Sequence, residues 1–553
     1  LKKIVLLFSC LFVTLISLGQ GGDAMVPISW EYDIESSFVP IELPEIDFSL
    51  IRQQDSINDL DKSQPWRYGI QQEISVNLKT QGERTILDNG DKLWRIAFRS
   101  SNAVNLSVNF NKFYLPSGTH LQLYSGNHED VSKAYTNRDN RVNQRAGTWY
   151  IEGEEIWIEY FEPAETTGIF KIEIESVIHG YRMGAISQFV EGTRGLNDSG
   201  ACNYDVNCRV GDDFDGLKDN LKKSVALLNL GNGYLCSSVL VNNAEQDKTP
   251  YILTANHCLQ NSNPDLWSAR FNWVSPNPVC GKDENTEDLQ NNFTMSGAIL
   301  RANNAKSDFA LVELSNEIPD TWDVAFAGWD NTDVAPIFEV GIHHPNGDIM
   351  KVCRDNTGAT KENAQGTEVW LIGGLSEGTG NGWEIGTTES GSSGSPLFNQ
   401  NGHVIGQLYA GLSSCNGEEN NNEYDIYGRF GISWDAGTTP ETRLHDWLDP
   451  LNSGATTVNT LSNILNVNDV EFVGDLQIYP NPANTFITVM NSKYPELSYG
   501  LYDVSGKKIS SGSLHATANT IVVSDISEGI YFLHLVDEDS GNTITKRIVV
   551  KHS

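Results

Sequence analysis

Cysteine is missing from two long stretches of this 553-residue sequence, residues 21–201 and everything beyond position 415. Basic residues are scarce as well: 38 Lys and Arg stand against 72 Asp and Glu, a formal net charge of −34. That shortage argues against a nucleic-acid footprint and favours cationic partners or substrates. Beyond the first twenty residues no apolar run is long enough to span a bilayer. There is no CxxC pair and no HExxH, so disulfides outrank zinc as the use of the cysteines. Neither a metal nor another cofactor is expected. Packed cores are not in short supply, since 39% of residues are hydrophobic and 10% aromatic. A chain several times the usual domain length of roughly 100–200 residues is expected to form two to four domains.

What the sequence does have begins at its start. "LKK" is positive, "IVLLFSCLFVTLISL" is apolar, and small residues follow in "SLGQ". This pattern predicts a secretory signal peptide over residues 1–19, cleaved after Gly19. Cys10 lies in the middle of the apolar run, which argues against a lipoprotein anchor. The mature protein is expected to be secreted, extracellular or at the cell surface. In an oxidising compartment the seven remaining cysteines, clustered between 202 and 415, read as disulfides within one domain.

Composition divides the rest. Residues 20–194 carry "EISVNLKT", "LWRIAFRS", "VNLSVNFNKFYL" and "TWYIEGEEIWIEYF". Their alternation, broken by "NG", "PSG" and "EG", predicts an antiparallel sandwich-like domain. No reactive constellation is visible in it. Residues 195–450 hold all seven cysteines, with strand candidates "SVALLNL", "LCSSVLVN", "YILTANHC", "FALVEL" and "HVIGQLYAG". A terminal helix is expected in "TTPETRLHDWLDP", with Thr439 as cap, Pro440 in the first turn, and Leu444, Trp447 and Leu448 on one face. Many short strands and one helix point to a β-barrel enzyme. Residues 451–473 are rich in Asn, Ser and Thr and read as a linker. Residues 474–553 predict a small β-sandwich.

The chemistry concentrates in "TTESGSSGSPLF", residues 387–398. A serine hydroxyl becomes a nucleophile only with a base in reach, a carboxylate behind the base, and N–H donors for the oxyanion. Gly391, lacking a side chain, can turn its N–H toward a substrate carbonyl. Of His257, His343, His344, His403 and His445, only His257 has a marked setting, at the end of the apolar "YILTANHC" and before a cysteine. Asp308 opens the otherwise apolar strand in "KSDFALVEL" and suits a carboxylate buried beside an imidazole.

"TANHC", "SDFALVEL" and "GSSGSPLF" together resemble the three triad blocks of chymotrypsin-like serine peptidases, in the order His, Asp, Ser. The resemblance implies a double β-barrel, Ser393 as nucleophile, and Gly391 and Ser393 as oxyanion donors. Ser392 and Ser395 take structural roles. Over about residues 197–450, "CNYDVNC", "GIHHPNGD", "GQLYAGLSSC" and "YDIYGR" resemble bacterial lysyl endopeptidases. That resemblance implies cleavage of proteins or peptides after Lys or Arg, with Asp425 at the base of the specificity pocket. It also selects Cys202–Cys415, Cys208–Cys280 and Cys236–Cys258 from the 15 pairings open to six cysteines, leaving Cys353 as a buried thiol.

The family's tryptophan–histidine pair is incomplete here: Trp370 matches the tryptophan, but Tyr409 stands where the histidine is expected. No chemical step falls to His343 or His344. "IYPNPA", "GIYFLHL" and "KRIVVKHS" resemble the C-terminal sorting domain of the Por (type IX) secretion system, which implies secretion machinery as a partner. A monomer is expected. The other readings are a glutamyl-type peptidase and a catalytically dead surface adhesion protein.

Residues 20–194 are then expected to be a propeptide of a zymogen, serving as a folding aid or a block. Ser392 occupies the position where pancreatic enzymes carry the aspartate that receives a freed N-terminus. Between residue 182 and Cys202 the one basic residue is Arg194, the expected propeptide cleavage site, with the mature chain starting near Gly195. Self-cleavage there requires that Arg be accepted.

Overall fold

The computed structural model describes residues 25–182, 199–286, 293–373, 382–462, 476–491, 497–503, 507–515, 518–537 and 543–552. The signal peptide expected over residues 1–19, and Arg194 with Gly195, lie outside the described residues. No helix among the described residues is long and apolar enough to cross a membrane. The protein is mainly β and divides into two units, one ending at Ser462 and one starting at Asn463.

The alternating segments before residue 183 form two sheets. In one, Glu155–Glu162 lies between Lys92–Arg99 and His120–Ser125. In the other, Lys171–Gly180 lies between Asn105–Tyr114 and Gly69–Asn77. Ile96, Phe98, Leu106, Val108, Phe110, Ile156 and Ile158 share one core. Inward-facing apolar residues from both sheets bury each other, which is the reason a sandwich forms.

Residues 199–462 build two larger antiparallel sheets. One has Tyr234–Val241 between Val225–Asn229 and Tyr251–Ala255, followed by Phe309–Leu314. The other places Pro396–Asn399 beside Glu339–His343 and Val404–Gly411, with Asp425–Arg429 next. Strand Tyr251–Ala255 is buried throughout, so its apolar sequence fits a strand covered on both faces. The expected terminal helix is broken. Pro440–Thr442 forms a 3-10 turn capped by Thr439, Arg443 is extended, and His445–Leu448 is one short helical turn. Thr442 Oγ1 donates back to the Thr439 carbonyl at 2.8 Å, a local bond that competes with helix continuation. Leu444 and Leu448 still reach the core.

The first sandwich is fastened to the first of these sheets. Trp66–Arg67 pairs with Tyr234–Leu235 as an added strand. Trp66, Tyr68, Trp149 and Tyr150 pack with Leu227, Leu235, Trp273 and Ile349 in one buried cluster. The unit after Ser462 has a separate core, with Ile487, Val489, Leu501, Leu533 and Ile548 between a three-stranded and a four-stranded sheet.

Glu339 opens a buried strand, and its Oε2 accepts the Ala359 N–H at 3.0 Å. Burial, and then neighbouring Asp355, pushes its carboxyl from an ordinary 4.5 up to about 10. The folded chain therefore keeps a proton that the unfolded chain loses, and stability falls as pH rises from about 4.5 toward 10. Glu339→Gln removes that titration while retaining an acceptor for Ala359. Urea unfolding between about pH 5 and 9 is expected to show a shallower loss of stability with pH in this variant than in the wild type.

Candidate active site

Cross-strand pairing assembles the first part of the site. Ala255 ends its strand opposite Phe309, so the residues just beyond, Asn256 and His257, meet Asp308. The Asn256 N–H donates to the Asp308 carbonyl at 2.8 Å. Asp308 Oδ1 accepts the His257 N–H at 3.1 Å, and Oδ2 lies 2.8 Å from His257 Nδ1. That contact selects the Nδ1–H tautomer and leaves Nε2 as an acceptor. Asp308 adopts φ +51°, a left-handed conformation that a short acidic side chain tolerates. The Cys236–Cys258 bridge fixes the turn from behind, with Cα atoms 6.4 Å apart.

The serine loop is held by the other sheet and by "GIHHPNGD". Gly391 (φ +90°) and Gly394 (φ +82°) supply the two left-handed positions. A Cβ on Gly394 would lie 2.1 Å from Thr254 Oγ1 and 2.5 Å from the Ser237 carbonyl, so only glycine permits this approach. The Ser237 N–H donates to the Ser393 carbonyl at 2.8 Å, and Ser237 Oγ to the Gly391 carbonyl at 3.0 Å. The His344 N–H donates to Ser237 Oγ at 2.9 Å, and the Asn346 N–H to the Ser390 carbonyl at 2.6 Å. Ser392 Oγ lies 2.8 Å from His343 Nδ1. Burial, ahead of the nearby His344 and lysine charges, holds His343 well below the usual histidine range. A neutral hydrogen bond thus fastens Ser392.

Asp425, fully buried at the start of its strand, lies under this loop. Its Oδ2 accepts from Trp383 Nε1 at 2.7 Å, Thr388 Oγ1 at 2.7 Å and Ser413 Oγ at 2.5 Å. Three donors on one oxygen satisfy the hydrogen-bonding demand of a buried carboxylate. The Cys202–Cys415 bridge braces the wall that carries Ser413.

The other carboxylate oxygen meets a residue from the N-terminal sandwich region. Lys62 Nζ lies 2.6 Å from Asp425 Oδ1. Nζ also donates to Thr388 Oγ1 at 2.8 Å, the Ser413 carbonyl at 2.7 Å, Ser413 Oγ at 2.8 Å and the Thr388 carbonyl at 3.2 Å. At the other end of the same residue, Ser393 Oγ donates to the Lys62 carbonyl at 2.7 Å. His257 Nε2 is buried without a hydrogen-bond partner. Lys62 therefore spans the distance between Asp425 and Ser393.

Asp308 thus meets His257, Lys62 links Ser393 to Asp425, and Gly394, next to Ser393, packs against Thr254 just before the histidine turn. Lys62, Thr388, Ser413 and Trp383 take part although no motif singled them out. For Lys62 the one available signal was a lysine following two aspartates in "DLDKSQPW". Tyr409 is the ring beside His257, with centroids 6.2 Å apart. Trp370 packs beneath the second sheet instead, its Nε1 donating to the Ile405 carbonyl at 2.9 Å. The Cys208–Cys280 bridge lies elsewhere in the same region, and Cys353 is a buried thiol. Cys236, His257 and Cys258 bring ligand-type atoms within 4.8 Å, but the two sulfurs are bonded to each other and are not free to hold a metal.

The fold is that of a β-rich peptidase-like region followed by a separate small domain. Residues 196–428 match the family model described as the lysyl endopeptidase C-terminal domain, and residues 477–551 match the secretion system C-terminal sorting domain. The latter marks the chain for export to the cell surface or beyond. A lysyl endopeptidase of Pseudomonas aeruginosa is 26% identical over 320 residues, 56% of this chain and 65% of that protein. The chain thus spans just under two thirds of its curated relative. Among solved structures, an inactive form of a Mycobacterium tuberculosis H37Rv protein aligns over 38% of this chain and 84% of its own, at 12% identity and TM-score 0.24. PorZ, a surface component of the Porphyromonas gingivalis type-IX secretion system, aligns over 58% of this chain and 41% of its own, at 10% identity and TM-score 0.14. Scores this low define no shared fold.

The close seat of Gly394 makes the serine loop sensitive to one methyl group. Gly394→Ala is expected to lower the thermal midpoint and to push Ser393 out of register with His257, since both the contact and the positive φ are violated. Calorimetry and labelling by a fluorophosphonate should both register the change.

Proposed function

We propose that the chain is a secreted serine endopeptidase that cleaves peptide bonds after lysine through an acyl-enzyme. The observation that carries this reading is Lys62, whose ammonium sits on Asp425 while its carbonyl sits on Ser393. Ser393 Oγ is the nucleophile. His257 Nε2 takes its proton and later gives it to the departing amine, and Asp308 holds the imidazole in the required tautomer. The N–H groups of Gly391 and Ser393 receive the oxyanion. The N-terminal sandwich, as propeptide, occupies the site until it is removed.

The pocket chemistry favours lysine over arginine. Four oxygens at 2.6–2.8 Å surround one nitrogen, which suits a compact ammonium rather than a wide planar guanidinium. A glutamyl specificity would set a second carboxylate against Asp425 with no cation between them. An adhesion role on a dead scaffold leaves the His257–Asp308 pair and the placement of Lys62 on both Asp425 and Ser393 without a use.

His257→Ala or Ser393→Ala is expected to lower kcat by roughly 10⁴-fold or more on a lysyl substrate, with the thermal midpoint nearly unchanged. Asp425→Asn is expected to cost roughly 10²–10³-fold in kcat/KM on lysyl substrates and far less on neutral ones. Comparable losses on both substrate types would remove Asp425 from the pocket.

A further inference from the structure

Lys62 is held as a bound substrate residue would be held. A lysine that merely neutralised Asp425 would need its ammonium there and nothing more. Here its carbonyl also lies on the nucleophilic hydroxyl, and the chain continues along the site on both sides. Upstream, Ser390 Oγ donates to the Asp59 carbonyl at 2.6 Å. Downstream, the Ser63 N–H, the nitrogen that would depart, donates to Asp61 Oδ1 at 2.9 Å.

Both flanks are anchored. Arg182 pairs with Asp55 at 2.7 Å and with Asp59 at 2.6 Å, and Tyr181 donates to Asp55 at 2.7 Å. Beyond Ser63, Trp66 and Arg67 pair with Leu235 and Tyr234. The segment between is thereby presented to Ser393 in a fixed conformation, the arrangement that converts an intermolecular reaction into an intramolecular one.

We propose that the Lys62–Ser63 peptide bond is a self-processing site, cut by Ser393 of the same molecule; this rests on the lysyl endopeptidase reading above. The Ser393 hydroxyl turns its proton from the Lys62 carbonyl oxygen to the unpartnered His257 Nε2, and Oγ bonds to the Lys62 carbonyl carbon as that proton is transferred. The Lys62–Ser63 C–N bond then breaks, and His257 returns the proton to the Ser63 nitrogen, which leaves as a free amine. Water, deprotonated by His257, hydrolyses the ester, giving the Lys62 carboxylate and the restored Ser393 hydroxyl. No oxidant or cofactor enters. Because Asp59 and Trp66 keep their partners after the cut, the product is a nicked complex whose N-terminal region stays bound. No cysteine lies between residues 21 and 201, so denaturation without reduction separates the fragment that ends at Lys62.

The full chain, purified and incubated, is followed by intact mass and N-terminal sequencing. The wild type is expected to develop an N-terminus at Ser63, at a rate unchanged over roughly 100-fold dilution. Ser393→Ala should remain whole at this bond. So should Lys62→Gln, and so should Ser63→Pro, which retains the lysine but replaces the departing amide with an imide nitrogen fixed in a ring. A Ser63 N-terminus in Ser393→Ala, or a rate proportional to concentration, would overturn the proposal. Hydrolysis of a lysyl ester by the double variant Lys62→Gln, Arg182→Ala, in which the segment loses both its pocket side chain and its Asp55 and Asp59 anchor, reads the underlying activity separately. If that ester is cut while wild-type Lys62–Ser63 stays intact, the self-processing site is wrong and the peptidase reading stands. If neither is cut, both fall.

Discussion

An ammonium ion taken out of water must find its charge again, and the contact of Lys62 with Asp425 governs much of this structure. Both side chains are almost completely removed from solvent, at 4% and 0% exposure. Burying either one alone costs several kcal/mol. The surroundings meet that demand with donors on one carboxylate oxygen, from Trp383, Thr388 and Ser413, and with acceptors around the ammonium. The carboxylate is therefore solvated by the protein on one side and left open to a cation on the other. Under the proposed function, a pocket of that kind would select by charge and by length together.

The walls around it are rigid for reasons that lie outside the site. Strands Tyr251–Ala255 and Phe309–Leu314 are held in an apolar core, and their register brings His257 to Asp308. The Cys236–Cys258 and Cys202–Cys415 bridges fasten the histidine turn and the pocket wall. The serine loop is fastened by neutral groups, His343 to Ser392 and Ser237 to Gly391. In pancreatic-type enzymes a freed N-terminal charge orders this loop. Here a buried imidazole does the positioning, so the loop is ordered while the N-terminal sandwich is still attached. In the proposed reading, Lys62 in the pocket keeps the site from acting on other chains. The sorting domain has a core of its own.

Much of the molecule was legible from local pattern. Alternating apolar residues marked the strands of both sandwiches, and the blocks around His257, Asp308 and Ser393 marked the candidate reacting groups, because each block encodes its own turn and strand end. The terminal helix was misread: Leu444, Trp447 and Leu448 have helical spacing, but the Thr439–Thr442 bonds and extended Arg443 interrupt it. His343 and His344 had no visible purpose in sequence, since their partners Ser392 and Ser237 are 49 and 107 positions away. The N-terminal region seemed inert for the same reason. Lys62 reaches Asp425 across 363 positions, and the two aspartates just before it in the chain do not foretell that partner.

The sequence by itself determined which residues are candidates for chemistry and which segments become strands, because serine- and histidine-bearing turns and hydrophobic alternation are short-range properties. Only the tertiary structure decided what those residues face. It placed Lys62 between Asp425 and Ser393, gave Asp425 its three donors, and made His343 a neutral brace. Each of these depends on desolvation, and desolvation is a property of the packed chain: a lysine or a histidine acquires its role only when the surrounding surfaces have closed around it.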